Sequence, residues 1–350
     1  MDINMNKEYI SFFEKVKGKT IAIVYIFEGE NAPGFKHYWI WKSDIITGWM
    51  NAVQELECLP LILDVRTFIQ KAINQTLPHI DFVLNLNCGS YELSSMSLVP
   101  SMCSFLSIPC IPCDACSILT SENKRISNLI AMAKGITVPP ILTEPSVNGI
   151  YRPLNLGNSI GVEVGPCLSK DKRHGTYQKF IPGYDITIPI VFNPIIQDID
   201  LFPAIVYIPL SKDPYWIYDE QEKECDDNFE ILITSKIEEL CKLNLINFVK
   251  EFPISTFGRI DARLRCNEKE LSKEIVKKPL SAANLYFIEI NSMPTIEPED
   301  SFEYALNYIM KNPDNSFYSS ATIYFNKIKK PTINGFLLFC SMISFFKAMY

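Results

Sequence analysis

Residues 284–302 read NLYFIEINSMPTIEPEDSF. An apolar run, Leu285 to Ile288, leads to a carboxylate, Glu289, and two residues on to a side-chain amide, Asn291. Side chains alternate faces along a strand, so Glu289 and Asn291 share one face. The stretch 257–265, FGRIDARLR, repeats the arrangement with Arg259 and Asp261. Antiparallel pairing of the two segments predicts one cluster of Asp261, Glu289 and Asn291 beside Arg259. Hard oxygen donors of this kind suit Mg²⁺ or Mn²⁺, ions that also keep water or phosphate oxygens as ligands. An internal ion pair between Arg259 and one of the acids is the alternative, and the local sequence leaves both open.

Upstream, KTIAIVYIFEG (19–29) is a continuous apolar run of the kind a buried parallel strand shows. KSDIITGWMNAVQELE places Ile45, Ile46, Trp49, Met50, Val53 and Leu56 at helical spacing. LPLILDV, RTFIQKAINQTL and IDFVLNLNCG continue the alternation of strand and helix to about residue 115, which predicts an open parallel sheet. From about residue 121 the texture changes. A polar-started helix, SENKRISNLIAMAKGI, ends at Gly135, and short strands with glycine turns follow. An α/β chain with α+β parts is expected, and no internal repeat or low-complexity linker interrupts it.

The chain has 350 residues, 47% of them hydrophobic and 21% charged, with a formal net charge of −7. This is ample for a sizeable core and argues against nucleic acid or an anionic membrane as the main partner. The first residues, MDINMNKEYISFFEKVKGKT, lack the apolar core of a secretory signal. Eleven cysteines in a chain this long point to a reduced, cytoplasmic protein rather than a disulfide scaffold. The apolar run from Phe336 to Phe346 is about half of the roughly 20 residues that span a bilayer. It predicts a C-terminal core helix or one buried against a partner subunit.

Two further segments carry weaker signals. LNLGNSIGV, after Arg152, can bring backbone N–H groups and the Ser159 hydroxyl against an anion. YQKFIPGYDI is a hairpin-like segment that returns with an acid, Asp185. In order, the chain therefore presents Arg-Pro, a Gly-Ser loop, this hairpin, an acidic loop with Lys223, Arg-x-Asp and Glu-x-Asn. That series resembles the ATP-grasp ligases of the D-alanine–D-alanine ligase type over roughly residues 19 to 302. Arg259, Asp261, Glu289, Asn291 and Pro294 meet the family's C-terminal pattern.

The resemblance implies an N-terminal open-sheet domain (1–119) and two ATP-grasp subdomains (120–182 and 183–350) that clasp ATP. It implies an ATP-dependent carboxylate–amine ligase acting on amino acids or small peptides through an acyl phosphate, while the departures from the family's substrate walls point to a substrate pair other than D-Ala and D-Ala. ATP would meet Lys124, Arg152, Gln178, Lys179, Phe180, Ile181, Asp185, Lys223 and Ile288. Two Mg²⁺ or Mn²⁺ ions would be held by Asp261, Glu289 and Asn291. Arg259, Ser159 and Lys223 would serve catalysis, and Ser301, Glu28 and Glu92 the substrates. A homodimer is compatible with the family.

The chain also departs from the pattern. Asn128 stands where the family has a phosphate-binding lysine, with Lys124 one turn earlier. Arg152 replaces a second lysine, Cys88-Gly89 stands for His-Gly, and Thr295 for a glycine after the motif proline. A nucleotide-binding protein with a regulatory or scaffolding role is the alternative reading. Cys110, Cys113 and Cys116 have CxxCxxC spacing, which zinc, an Fe–S cluster or simply buried thiols would satisfy. The aromatic cluster Phe35, His37, Tyr38, Trp39 and Trp41 suits a side-chain pocket or core packing.

Overall fold

Helix α1 (Ile3–Val16) leads into β1 (Thr20–Tyr25), whose Ile21, Ala22, Ile23 and Val24 are fully buried. Burial on both faces is what a continuous apolar strand requires. The chain is described from a computed structural model covering residues 3–27, 41–89, 93–157, 159–166, 174–211, 213, 215–218, 228–254, 256–266, 274, 277–297 and 299–348. After β1 come α2 (Ser43–Glu55), β2 (Leu59–Asp64), α3 (Val65–Ile73), β3 (Phe82–Asn85), α4 (Leu93–Met96), α5 (Leu98–Leu106) and β4 (Cys110–Ile111). The four strands pair in parallel in the order β2-β1-β3-β4, the open sheet that the alternating pattern predicts.

Two helices then lie in series. The side chain of Asp114 caps α6 (Ala115–Ser121), and that of Asn123 caps α7 (Lys124–Ala133). A small antiparallel sheet follows, β6-β5-β7, from β5 (Gly149–Pro153), β6 (Glu163–Val164) and β7 (Gly175–Lys179). The remaining strands are β8 (Gly183–Asn193), β9 (Asp198–Leu201), β10 (Ala204–Pro209), β11 (Phe229–Thr234), β12 (Phe257–Arg265) and β13 (Leu285–Asn291), with α8 (Glu239–Val249) between β11 and β12. They form a second antiparallel sheet, β11-β10-β8-β12-β13, with β9 paired to β8. Gly183 makes the entry to β8 possible. Its φ is +146°, and a Cβ there would stand 2.1 Å from the carbonyl oxygen of Leu264.

Three helices close the chain: α9 (Ser301–Ile309), α10 (Tyr318–Lys327) and α11 (Ile333–Ala348). Residues Phe336 to Cys340 of α11 are fully buried, and the helix packs on α2 and β8. Phe339 stacks on Phe13 of α1 with centroids 4.1 Å apart. Glu55, at the end of α2, accepts from the Tyr324 hydroxyl and from Thr332 N (3.1 Å) and Oγ1 (2.7 Å). The apolar C-terminal run is thus a core helix covered within the chain. Among the described residues no helix is long and apolar enough to cross a membrane.

Candidate active site

Strands β12 and β13 pair antiparallel with Arg259 opposite Asn291 and Asp261 opposite Glu289; a bulge follows Asp261. The register brings the four motif side chains together. Arg259 Nε lies 3.0 and 3.2 Å from the two Asp261 oxygens, and its Nη2 lies 2.9 Å from Oδ2. Asn291 Nδ2 donates to the same Oδ2 at 2.6 Å, and Thr187 Oγ1 of β8 donates to Oδ1 at 2.8 Å. The ion pair that the sequence left as an alternative is therefore present.

Glu289 has a different cation. Lys124 Nζ, at the start of α7, lies 2.6 Å from Glu289 Oε2 and donates to the Leu156 carbonyl at 2.7 Å. Burial pushes the Glu289 carboxyl up, but Lys124 first, then Arg259 and Arg152, outweigh it and hold the group below the usual carboxylate range. Both acids and the amide line a cleft between the small sheet and the second large sheet, with about 990 Å³ of space, part of it open to solvent.

Among the described residues, four cations, Lys124, Arg152, Arg259 and Arg263, and three carboxylates, Asp185, Asp261 and Glu289, line this cleft, so that this part of the lining carries one more positive than negative charge. Arg152 is only 8% exposed, and among the described residues its hydrogen-bond acceptor is neutral, Gln178 Oε1 at 3.2 Å. Burial lowers its pKa to about 10, which leaves it charged at neutral pH. Apolar Ile150, Phe180, Ile181, Ile217 and Ile288 complete the lining. Phe180 stacks on Tyr215 at 5.7 Å, and the Arg263 guanidinium lies over its ring at 5.1 Å.

Of the residues singled out from sequence, Lys124, Arg152, Ser159, Phe180, Ile181, Asp185, Arg259, Asp261, Ile288, Glu289 and Asn291 all line the cleft. Ser159 adopts a left-handed conformation, φ +58°, in the Gly-Ser loop. Asp185, expected to meet ATP, accepts from Tyr218 N (2.8 Å) and pairs with Arg263 Nη1 (2.9 Å). Gln178, also expected to meet ATP, is buried and bonded to Arg152 and Asn128. Lys179 is exposed and outside the lining, and Ser301 is the buried first residue of α9, capped by Asp300. Glu28, Glu92 and Lys223 lie outside the described residues.

Arg263 and Glu122 are among the residues that sequence reasoning missed. Arg263 donates to the carbonyls of Ile181 (3.2 Å), Trp216 (2.9 Å) and Gly183 (2.6 Å), tying β12 to the β7–β8 connection. It continues the Arg259–Asp261 alternation, so the strand period held its signal. Glu122 accepts from Ser292 N (2.8 Å) and Oγ (3.0 Å), directly after the Asn291 motif. Burial, with Glu289 nearby, pushes its carboxyl up to about 7. Nothing local distinguishes it from an ordinary helix-start acid.

Two carboxylates and an amide oxygen on one cleft wall are a donor set that fits Mg²⁺ or Mn²⁺. Cys110 and Cys113 are buried and Cys116 is exposed. Among the described residues no group of three or more His, Cys, Asp or Glu could hold a metal. Trp41, the described member of the aromatic cluster, is buried and donates to the Leu86 carbonyl at 2.6 Å.

By sequence the chain matches no protein-family model and no curated protein. Its structure is similar to that of a D-alanine–D-alanine ligase from Bacillus anthracis complexed with ATP, at 15% identity, TM-score 0.56, over 95% of this chain and 99% of the other. It is also similar to D-alanyl-alanine synthetase A from Vibrio cholerae, at 12% identity, TM-score 0.57, over 94% and 98% of the two chains. The VanG D-Ala:D-Ser ligase of Enterococcus faecalis matches at 13% identity, TM-score 0.54, over 87% and 98%. The chain has the ATP-grasp fold of these ligases.

Proposed function

We propose that the chain is an ATP-dependent ligase that joins a carboxylate to an amine, with amino acids or small peptides as substrates. The observation that carries this reading is Arg152, a buried cation whose described acceptor is neutral, facing a cleft that also holds Asp261, Glu289 and Asn291. Glu289 and Asp185 favour its charge in part, and an anionic ligand pairing with it directly offsets more of the cost of burying it. A nucleotide triphosphate meets the whole wall, with its base against Phe180, Ile181 and Ile288 and its phosphates toward Arg152, Lys124 and the Ser159 loop.

The ligation has two steps. A substrate carboxylate oxygen attacks the terminal phosphorus, forming an acyl phosphate and releasing ADP. The amine then attacks the acyl carbon, the C–O bond to phosphate breaks, and phosphate and a proton leave. Divalent ions held by Asp261, Glu289 and Asn291 would supply neutralisation of phosphate charge. Arg259, held by Asp261, supplies a fixed cation for the tetrahedral oxyanion. Lys124 exchanges Glu289 for a phosphate oxygen when nucleotide enters.

One observation favours a second reading, a nucleotide-binding protein without turnover: both motif acids are already ion-paired, Asp261 with Arg259 and Glu289 with Lys124. Phosphate release from ATP across a panel of amino-acid pairs separates the two. The ligase reading expects release that needs Mg²⁺ and is lost in Asp261→Asn and Glu289→Gln. Tight ATP binding with no release, unchanged in both variants, would establish the second reading.

A further inference from the structure

A line of side-chain amides runs from β13 to the cleft. Asn128 Nδ2 donates to the carbonyls of Lys124 (2.6 Å) and Ile288 (3.1 Å). With both acceptors carbonyls, flipping that amide would set oxygen against oxygen. Asn128 Oδ1 therefore faces Gln178, whose Nε2 donates to it at 3.1 Å and to the Pro139 carbonyl at 3.0 Å. The same reasoning orients Gln178 and leaves its Oε1 to accept from Arg152 Nη1 at 3.2 Å. Asn128, Gln178 and Arg152 are all buried.

We propose that Asn128 and Gln178 are positioning residues, a polarised relay that transmits the orientation of β13 and α7 to the Arg152 guanidinium and so aims it at the phosphates of the cleft ligand. The proposal rests on the nucleotide reading above. The chemistry explains why amides stand here. Lys124, Arg259 and Arg263 each have a carboxylate partner, at Glu289, Asp261 and Asp185. An acid at position 178 would neutralise Arg152 likewise. A neutral amide fixes its direction and leaves its charge for the ligand. The relay also joins the two walls of the cleft, because Arg152 and Gln178 lie on the small sheet while Ile288 lies on the strand of Glu289.

The test is a cycle of Gln178→Leu, Arg152→Met and the double variant, each checked for folding by its thermal transition. ATP and adenosine affinities are read by calorimetry. The relay expects Gln178→Leu to weaken ATP about tenfold, the scale of one hydrogen bond to a charged group. Adenosine should be unchanged, and in the Arg152→Met background Gln178→Leu should add less than about twofold. Equal losses in both backgrounds, or a parallel loss of adenosine, would overturn it. If the wild-type chain binds no ATP, the proposed function fails, and the relay is still decided by ¹⁵N relaxation of the Arg152 Nε–H group. Its order parameter falls in Gln178→Leu if the relay holds the guanidinium, and an unchanged value rejects it.

Discussion

Replacing Lys124 by Met removes an ammonium 2.6 Å from Glu289 Oε2 while keeping a chain of similar length. The side chains are 6% and 21% exposed, so solvent screens the pair weakly. At an effective dielectric of about 20, Coulomb attraction at this separation is roughly 6 kcal/mol. Part of that is offset because an ammonium no longer has to be desolvated, and breaking a buried pair from one side costs about 3–5 kcal/mol. Ligand-free Lys124→Met should therefore lose about 3 kcal/mol at pH 7.5, read from urea unfolding. The pH dependence carries a sign. Glu289 is held below its unfolded value in the wild type, so its contribution is present above the unfolded pKa and lost as pH falls through the folded one. Without Lys124, burial dominates and the carboxyl moves up, so the deficit of the variant shrinks toward pH 5. Glu289→Gln strands the ammonium and also destabilises, whereas Lys124→Met with Glu289→Gln leaves neither charge unpaired. The double variant should cost less than the sum of the singles by about 2 kcal/mol or more. Additivity within about 0.5 kcal/mol, or a deficit independent of pH, would refute the coupling.

Glu122 gives the opposite slope. Its folded pKa is raised to about 7, so the folded state binds the extra proton and stability falls as pH rises from the unfolded pKa through 7, by roughly 3 kcal/mol in full. Glu122→Gln keeps an acceptor for Ser292, and its thermal midpoint should exceed that of the wild type at pH 8 but match it near pH 5; equal differences at both pH values would exclude the shift. Gly183→Ala places a Cβ 2.1 Å from the Leu264 oxygen at φ +146°, where strain should cost about 3 kcal/mol or more. A thermal midpoint equal to wild type would show that the β8–β12 junction relaxes at little cost.

Much of the fold is local information. The period-two pattern of FGRIDARLR and LYFIEIN sets which residues share a face, and the pairing of β12 with β13 joins those faces. The alternation of apolar runs and helical stripes up to residue 115 carries the parallel sheet. The helix at Glu239–Val249 shows where periodicity loses force. Leu240 and Leu243 are exposed there while Cys241, Leu245, Phe248 and Val249 are buried, because the neighbours of a helix choose which stripe it buries. Asp185 and Gln178 show the limit for the site. Each has the residue type its expected role needs, yet Asp185 pairs with Arg263 and Gln178 holds Arg152.

By itself, the sequence determined the main strands and helices and which motif side chains share a strand face, Arg259 with Asp261 and Glu289 with Asn291, since backbone periodicity depends on near neighbours alone. Only the tertiary structure decided the pairing among side chains: Lys124 with Glu289, Arg259 with Asp261, Arg263 with Asp185, and Arg152 left to a neutral amide. The physical reason is distance and burial. Every one of these cations is a chemically acceptable partner for every one of the acids, and the strength of each option depends on a separation of a few ångströms and on excluded water. Both are set by segments far apart in the chain.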